Sequence, residues 1–118
     1  MKEEKVFSPS TGIQLEGLLN VQEASFFKGG VVLCPPHPQY GGDMDHPVIT
    51  TAAEAASEGG FSTLRFNFRG VGESGGSYGE GVGEREDVRV AADYLYSRPT
   101  IELLQVSWSA LWTHPPGA

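Results

Sequence analysis

Three glycines follow a predicted strand with the spacing Gly70-x-Gly72-x-x-Gly75, inside the stretch STLRFNFRGVGESGG. This spacing is typical of a loop that cradles the phosphates of a dinucleotide. In that fold the third glycine lies at the start of a helix, whereas the next helical pattern here begins near Glu84. The acid expected to bind the ribose about 20 residues further on would be Asp93, which falls inside that helix. The glycines therefore predict a loop with several positive φ angles rather than a phosphate site.

A second group of side chains with metal-binding or nucleophilic chemistry follows the third predicted strand: Cys34, His37, Asp43, Asp45 and His46. Their spacing matches no zinc pattern, so the sequence predicts neither a metal nor another cofactor. Cys34 has no base placed beside it and is expected to be a buried strand end. Asp45 stands before Pro47 and is expected to cap a helix instead.

The composition narrows the class of protein. A chain of 118 residues is long enough for one domain. Eight Lys and Arg against fifteen Asp and Glu give a net charge of −7, which argues against the basic face that a nucleic-acid partner needs. No apolar run approaches the roughly 18 residues of a membrane helix, and the start MKEEKVF is unlike a signal peptide. One cysteine excludes an internal disulfide, and we expect a cytoplasmic protein.

Hydrophobic periodicity divides the chain into strands and helices. Residues alternate between apolar and polar after the turn Pro9–Gly12, which predicts an N-terminal hairpin. A continuous apolar run after the turn Lys28–Gly30 predicts a buried parallel strand. The predicted strands are Lys5–Ser8, Ile13–Val21, Val31–Cys34, Thr63–Phe68 and Ile101–Val106, and the predicted helices are Asp45–Glu58 and Glu84–Ser97. This order predicts an α/β fold with three layers, in which a mostly parallel sheet follows an antiparallel N-terminal hairpin.

Two stretches resemble the front of an α/β-hydrolase. The first is His37-Pro38-Gln39-Tyr40-Gly41-Gly42, and the second is the pattern Arg-x-Asn-x-Arg-Gly-x-Gly-x-Ser-x-Gly at Arg65–Gly76. Both resemble motifs of small bacterial serine hydrolases, and their order and surrounding elements fit that family over residues 5–99. The resemblance implies a mostly parallel sheet with the active site at the carboxyl ends of the strands.

The same resemblance implies roles for individual residues. The backbone N–H of Gln39 would stabilise the oxyanion of an acyl-transfer intermediate, and Ser107 stands at the nucleophile position. The substrate would be a small ester or other acyl compound. The residues expected to shape the site belong to the two loops: His37, Pro38, Gly41, Gly42, Arg69, Gly70 and Gly72. Tyr78 is expected to be an exposed aromatic residue of the second loop.

The C-terminal stretch departs from the family pattern. A Gly-x-Ser-x-Gly turn should present the nucleophile, but Gln105 and Ser109 stand at the glycine positions around Ser107. The triad acid and histidine should come from later sequence, and His114 lies too close to Ser107 to be the base. We therefore expect a truncated α/β-hydrolase fold: one partial domain over residues 1–118, with a core at 5–106 and an atypical tail at 107–118. We expect the chain by itself to be inactive.

An alternative reading is a stand-alone, non-catalytic α/β domain that binds a partner or a second copy of itself. Its last strand, Ile101–Val106, would be an apolar sheet edge, and such edges pair with other chains. A change of reading frame near residue 105 would account for both the lost glycines and the proline-containing tail.

Overall fold

The computed structural model describes residues 2–10, 12–22, 29–38, 41–98 and 101–107. These residues form a mixed sheet and two helices. In chain order the elements are β1 (Glu4–Ser10), β2 (Ile13–Asn20), β3 (Gly29–Leu33), α1 (Pro47–Glu58), β4 (Ser62–Phe66), α2 (Val82–Tyr96) and β5 (Glu102–Ser107). Neither helix within these ranges is long and apolar enough to cross a membrane.

The sheet has the strand order β1-β2-β4-β3-β5. β1 and β2 form an antiparallel hairpin, and β2 pairs antiparallel with β4. β3 pairs in parallel with both β4 and β5. The hairpin turns at Gly12, whose φ of 73° suits a residue without a Cβ. The predicted antiparallel start and parallel continuation are confirmed.

The two helices cover opposite faces of the sheet. Successive residues of a strand point to opposite faces, and in β3 Val31 and Leu33 pack with Ile49 and Ala53 of α1. Val32, between them, belongs to the cluster on the other face. That cluster contains the apolar stripe of α2, namely Val88, Ala91 and Leu95. The predicted three-layer arrangement is therefore confirmed.

β4 is the buried centre of the sheet. All five of its residues are buried, and Leu64 and Phe66 point to the α2 side. Phe68, just past the strand, meets Phe66 edge to face with ring centroids 5.0 Å apart. Burial of each such side chain contributes about 1.5–3 kcal/mol, so the chain leaves β4 from a rigid support.

Gly29 and Gly30 do not form the turn predicted for them; they are the first residues of β3. A Cβ on Gly30 would lie 2.6 Å from Ile101 Cγ2 and 3.0 Å from Leu95 Cδ2. The glycine is therefore explained by the close packing of the α2 end and the segment before β5, which local sequence does not reveal.

The N-cap of α1 is His46, not Asp45 as predicted. His46 Nδ1 accepts a hydrogen bond from the Val48 backbone N–H at 3.2 Å, and Pro47 begins the helix as expected. The Asp45 carboxylate instead lies 3.0 Å from Arg65 Nη1. A buried guanidinium on a distant strand competes for this carboxylate, and the adjacent imidazole takes over the cap.

Candidate active site

The carboxyl ends of three parallel strands, β4, β3 and β5, lie side by side at one end of the sheet. Leu33 of β3 is in register with Arg65 of β4 on one side and with Ser107 of β5 on the other. Neighbouring strands lie about 4.8 Å apart, so the segments that leave these strands begin close together. The strands that lead into the loops at His37 and Arg69 therefore end beside the strand that ends at Ser107.

Ser107 is the last residue of β5. Its backbone is paired with Leu33, directly before the loop that follows β3. Trp108 and Ser109, which would complete a nucleophile turn, lie outside the described residues, as does His114. The nucleophile role of Ser107 and the effect of the lost glycines stay predictions.

The loop after β3 is closed by its own backbone. The Gly42 N–H donates to the His37 carbonyl at 3.1 Å, and the Gly41 N–H donates to the Pro38 carbonyl at 3.3 Å. Gly41 has φ 77°, and a Cβ on Gly42 would lie 1.9 Å from the Pro36 carbonyl oxygen. Gly41 is thus needed for its positive φ angle, and Gly42 because a Cβ would not fit.

Gln39, the residue to which the family resemblance assigns the oxyanion N–H, lies outside the described residues. Its flanks are described: His37 and Pro38 on one side, Gly41 and Gly42 on the other. The hydrogen bonds above join these two flanks to each other. The oxyanion role of Gln39 stays a prediction.

Asn67 joins the loop after β3 to the loop after β4. Its Oδ1 accepts the Met44 backbone N–H at 2.8 Å, and its Nδ2 donates to Glu16 Oε1 at 2.8 Å. Its backbone carbonyl accepts the Ser74 hydroxyl at 2.8 Å. The asparagine of the second motif therefore sets the position of one loop relative to the other.

The glycine-rich loop after β4 has the positive φ angles that the sequence predicted. They are 80° at Gly70, 56° at Gly72 and 78° at Gly76. A Cβ on Gly72 would also lie 2.5 Å from Asn67 Nδ2 and 2.6 Å from Glu16 Oε1. The loop is tight because it closes over a buried polar cluster.

Five backbone N–H groups of this loop donate to acceptors within the protein. The acceptors of these N–H groups are backbone carbonyls or the Glu16 carboxylate, and the donors are Gly70, Val71, Glu73, Ser74 and Gly75. A phosphate-cradling loop instead points its N–H groups at the anion. The buried Glu16 carboxylate beneath the loop would also repel an anion.

Glu16 is a site-supporting residue that sequence reasoning missed. Its Oε1 accepts from Asn67 Nδ2 and from the Glu73 backbone N–H at 2.9 Å, and its Oε2 lies 2.9 Å from Lys5 Nζ. Burial by itself would raise the pKa of Glu16, but the hydrogen bonds from Glu73, Lys5 and Asn67 together lower it to about 2. In the sequence, Glu16 is recognisable only as a polar position in the alternating pattern of β2.

The two arginines of the second motif serve as anchors. Arg69 Nη2 lies 2.8 Å from Asp87 Oδ1, and its backbone N–H donates to Asp87 Oδ2 at 2.9 Å. Arg65 binds Glu3 through both carboxylate oxygens, at 2.8 and 2.9 Å, and also contacts Asp45. These pairs fasten the loop to α2 and the start of α1 to β4.

Tyr78 is half-buried rather than an exposed loop residue. Its hydroxyl lies 3.1 Å from His37 Nε2, and the two ring centroids are 5.5 Å apart. The residue after it, Gly79, donates its N–H to the buried Glu84 carboxylate at 2.8 Å. His37, predicted to shape the site, thus contacts a residue that no local pattern in the sequence places beside it.

Within the described ranges, no three His, Cys, Asp or Glu side chains gather in a way that could hold a metal ion. Cys34 is buried as predicted. Burial raises the pKa of its thiol to about 12, so the reactive thiolate is disfavoured.

The strand order, the helices on opposite faces and the loops gathered at the carboxyl edge define the fold of the N-terminal part of an α/β-hydrolase. A structure of an α/β serine hydrolase homologue from Coxiella burnetii superposes with a TM-score of 0.79 and 36% identity, covering 87% of this chain and 50% of its own. A serine hydrolase without a lid from Xanthomonas campestris gives 0.78 and 32%, covering 87% and 49%.

An uncharacterized protein of Rickettsia prowazekii is 45% identical over 60 residues, which are 51% of this chain and 25% of the relative. No family model matches the chain. The chain spans about half the length of the solved hydrolases above, and the 60 matched residues span a quarter of the Rickettsia protein. The hydrolase fold and the likeness to serine hydrolases are therefore established, in the part of the fold that precedes the triad acid and histidine.

Proposed function

We propose that this chain supplies the nucleophile strand and the oxyanion loop of a serine hydrolase that cleaves esters or similar acyl bonds. The observation that carries the proposal is the parallel pairing of β5 with β3, in which Ser107 is in register with Leu33. This pairing brings the serine position to the strand from which the His37–Gly42 loop departs. Identities of 36% and 32% to serine hydrolases support the same reaction class.

The reaction needs two features of this half of the fold. The Ser107 hydroxyl would attack the acyl carbonyl, forming a C–O bond, and a histidine base would take its proton and pass it to the departing alcohol. The Gln39 backbone N–H would donate to the negative oxygen of the tetrahedral intermediate. Water would then release the acid and restore the serine.

The acid and the base must come from sequence other than residues 1–118, because the fold takes them from beyond the nucleophile strand. We therefore propose that the 118-residue chain by itself does not turn over. A serine without a positioned base is a weak nucleophile. Gln105 and Ser109 in the nucleophile turn add backbone strain of about 1–3 kcal/mol if the turn forms.

A chimera tests the proposal. Residues 1–109, with Gln105→Gly and Ser109→Gly, are joined to the remaining half of the Coxiella burnetii hydrolase homologue, whose intact chain is the positive control. We expect hydrolysis of p-nitrophenyl acetate and labelling of Ser107 by a fluorophosphonate, located by peptide mass spectrometry. Ser107→Ala should abolish both, whereas Ser97→Ala, on an exposed serine after α2, should change neither.

Two outcomes would count against the proposal. A folded but inactive chimera beside an active parent would show that this half lacks the catalytic elements. Labelling that survives Ser107→Ala would place the nucleophile elsewhere. Omitting the two glycine substitutions then measures how far Gln105 and Ser109 impair the turn.

A further inference from the structure

The two faces of the sheet are covered unequally. On one face α2 packs on β1, β3, β4 and β5, whereas on the other the extensive contacts of α1 are with β3 and β4. β5 lies beyond β3, at the end of the strand order. Parallel strands are normally covered by helices on both faces. Among the described residues, neither helix covers the α1 side of β5.

The side-chain contacts of α1 show which of its flanks faces β5. Ile49 and Ala53 point down onto the sheet, where they pack with residues of β3. The Ser57 hydroxyl accepts a hydrogen bond from Gln22 Nε2 at 2.7 Å and lies 3.4 Å from Asn20 Oδ1, at the end of β2. In the strand order β2 lies beyond β4, and β5 lies beyond β3. The flank that carries Ser57 therefore faces β2, and the opposite flank faces β5.

The flank of α1 that faces β5 consists of Val48, Ala52 and Ala55. Their spacing of four and then three residues places them on one side of the helix. Val48 is 56% exposed, Ala55 is exposed and Ala52 is half-buried. The three side chains are apolar, and two of them are small enough to let a second helix approach closely. An apolar helix flank thus lies beside the uncovered face of β5.

The handedness of the crossovers limits which segment can cover this face. The connection from β3 to β4 carries α1, and the connection from β4 to β5 runs the other way across the sheet and carries α2. Parallel crossovers are right-handed, so opposite directions put their helices on opposite faces. A crossover from β5 to a further strand beyond it would run in the direction of the α2 connection. Its helix would lie on the α2 face, so the α1 side of β5 needs a different helix.

We propose that the Val48, Ala52 and Ala55 flank of α1 and the adjoining face of β5 form a docking surface for an amphipathic helix. This helix is supplied by the part of a serine hydrolase that the chain does not match, so the inference rests on the proposed function. The matched parts of the solved hydrolases are 50% and 49% of their chains, which leaves enough sequence for such a helix. Its apolar side packs against α1 and β5, and its polar side faces water.

Cysteine labelling of the chimera tests the docking surface without any activity. Val48→Cys places a thiol on the flank, and Val82→Cys is the matched control, because both valines are exposed and lie in the first turn of a helix. Cys34 is buried, and burial raises the pKa of its thiol to about 12, so it does not compete. With N-ethylmaleimide and mass spectrometry, we expect Val48→Cys to react about tenfold more slowly in the chimera than in the 118-residue chain. Val82→Cys should react at the same rate in both.

A second pair of variants locates the covered flank. Ala55→Cys, on the same flank, should also be protected in the chimera, whereas Glu54→Cys, on the neighbouring exposed position, should stay reactive. Rapid labelling at both Val48→Cys and Ala55→Cys in a folded chimera would overturn the inference. Protection in the isolated chain that increases with concentration would make a second copy the occupant and would overturn the assigned partner.

The outcomes separate this inference from the proposed function. A chimera that hydrolyses p-nitrophenyl acetate but leaves both flank thiols reactive would refute the docking surface and leave the hydrolase proposal standing. An inactive chimera with protected thiols would contradict the proposed function and support the docking surface. Rapid labelling of Cys34 in the chimera would show that the two parts do not form one domain, which would also refute the docking surface.

Discussion

Glu16 is a charged side chain that is only 7% exposed beneath the glycine-rich loop. Its carboxylate receives the Asn67 side chain and the Glu73 backbone N–H, so one residue of β2 determines how the loop after β4 folds. Lys5 neutralises its charge from the neighbouring strand. Removal of this carboxylate would leave buried donors without an acceptor, which costs about 1–3 kcal/mol for each group.

Glu16→Gln keeps one oxygen that can accept from Asn67 and Glu73, but it loses the negative charge that these hydrogen bonds and Lys5 stabilise. Because hydrogen bonds to a charged group are the stronger ones, the variant should lower the free energy of unfolding by roughly 1–3 kcal/mol at pH 7. The pKa of Glu16 is lowered to about 2 in the folded state, so its stabilisation is present above the unfolded pKa of about 4.3. It is lost as the pH falls through about 2. Urea unfolding of both proteins should show a stability difference that shrinks from pH 5 toward pH 2. Glu54→Gln, on an exposed face of α1, is the control; a difference independent of pH would contradict the assignment.

The two adjacent glycines after β3 make a second prediction at the residue scale. Gly41 has φ 77° but open space where a Cβ would stand, whereas Gly42 has no room for a Cβ beside Pro36. Gly41→Ala should cost about 1–2 kcal/mol from backbone strain. Gly42→Ala should cost more, because the Pro36 backbone must shift. Thermal unfolding measures the stability of both variants. A Gly42→Ala variant at least as stable as Gly41→Ala would show that the loop accommodates the added Cβ without cost in stability.

α2 is the element that supports the glycine-rich loop. Its first turn holds Gly79 and Gly81 through Glu84, and its second turn holds Arg69 through Asp87. Both carboxylates are fully buried, so the polar N-terminal end of this helix is directed toward the site while its apolar stripe packs on the sheet. The N-terminal end of α2 therefore supports the glycine-rich loop, and the apolar stripe along the helix packs on the sheet.

Asp87→Asn should accordingly destabilise the protein by roughly 1–3 kcal/mol. Loss of one partner from a buried pair costs about 3–5 kcal/mol. The cost is smaller here because the Arg69 side chain is 23% exposed, so water can solvate part of its charge. Asp93→Asn, an exposed aspartate on the same helix, is the matched control. Urea denaturation measures both; an Asp87→Asn variant as stable as the control would show that the Arg69 pair contributes nothing net.

At the scale of the whole molecule, β5 is an edge strand within the described part of the chain. An edge strand presents unpaired N–H and C=O groups to any strand that can add to it. Relatives about twice as long continue beyond this point. The pairing of β5 with further sequence, or with another chain, is therefore expected to govern the assembly of the protein.

The isolated 118-residue chain should self-associate through this edge. Sedimentation velocity should show a mass that rises with concentration, while the chimera, in which later hydrolase strands follow β5, should remain a monomer. An isolated chain that stays monomeric at all concentrations would argue against both edge pairing and the alternative of a self-associating domain.

The sequence by itself determined the order and type of the elements and the two motif loops. Alternation in Ile13–Val21 and the apolar run Val31–Cys34 are local patterns, and each predicts a strand without reference to the rest of the chain. The motifs at His37–Gly42 and Arg65–Gly76 are also local, so the resemblance to α/β-hydrolases, which the structure confirms at the level of the fold, was accessible before any coordinates.

Only the tertiary structure decided which residues support the site. Glu16 was a polar position in a strand, Tyr78 a loop aromatic and His46 a neighbour of the expected cap. The Glu16–Glu73 and His37–Tyr78 hydrogen bonds join residues far apart in the chain. Periodicity gives the face on which a side chain lies but not what covers that face. The partners of buried polar groups depend on how loops from different strands pack together.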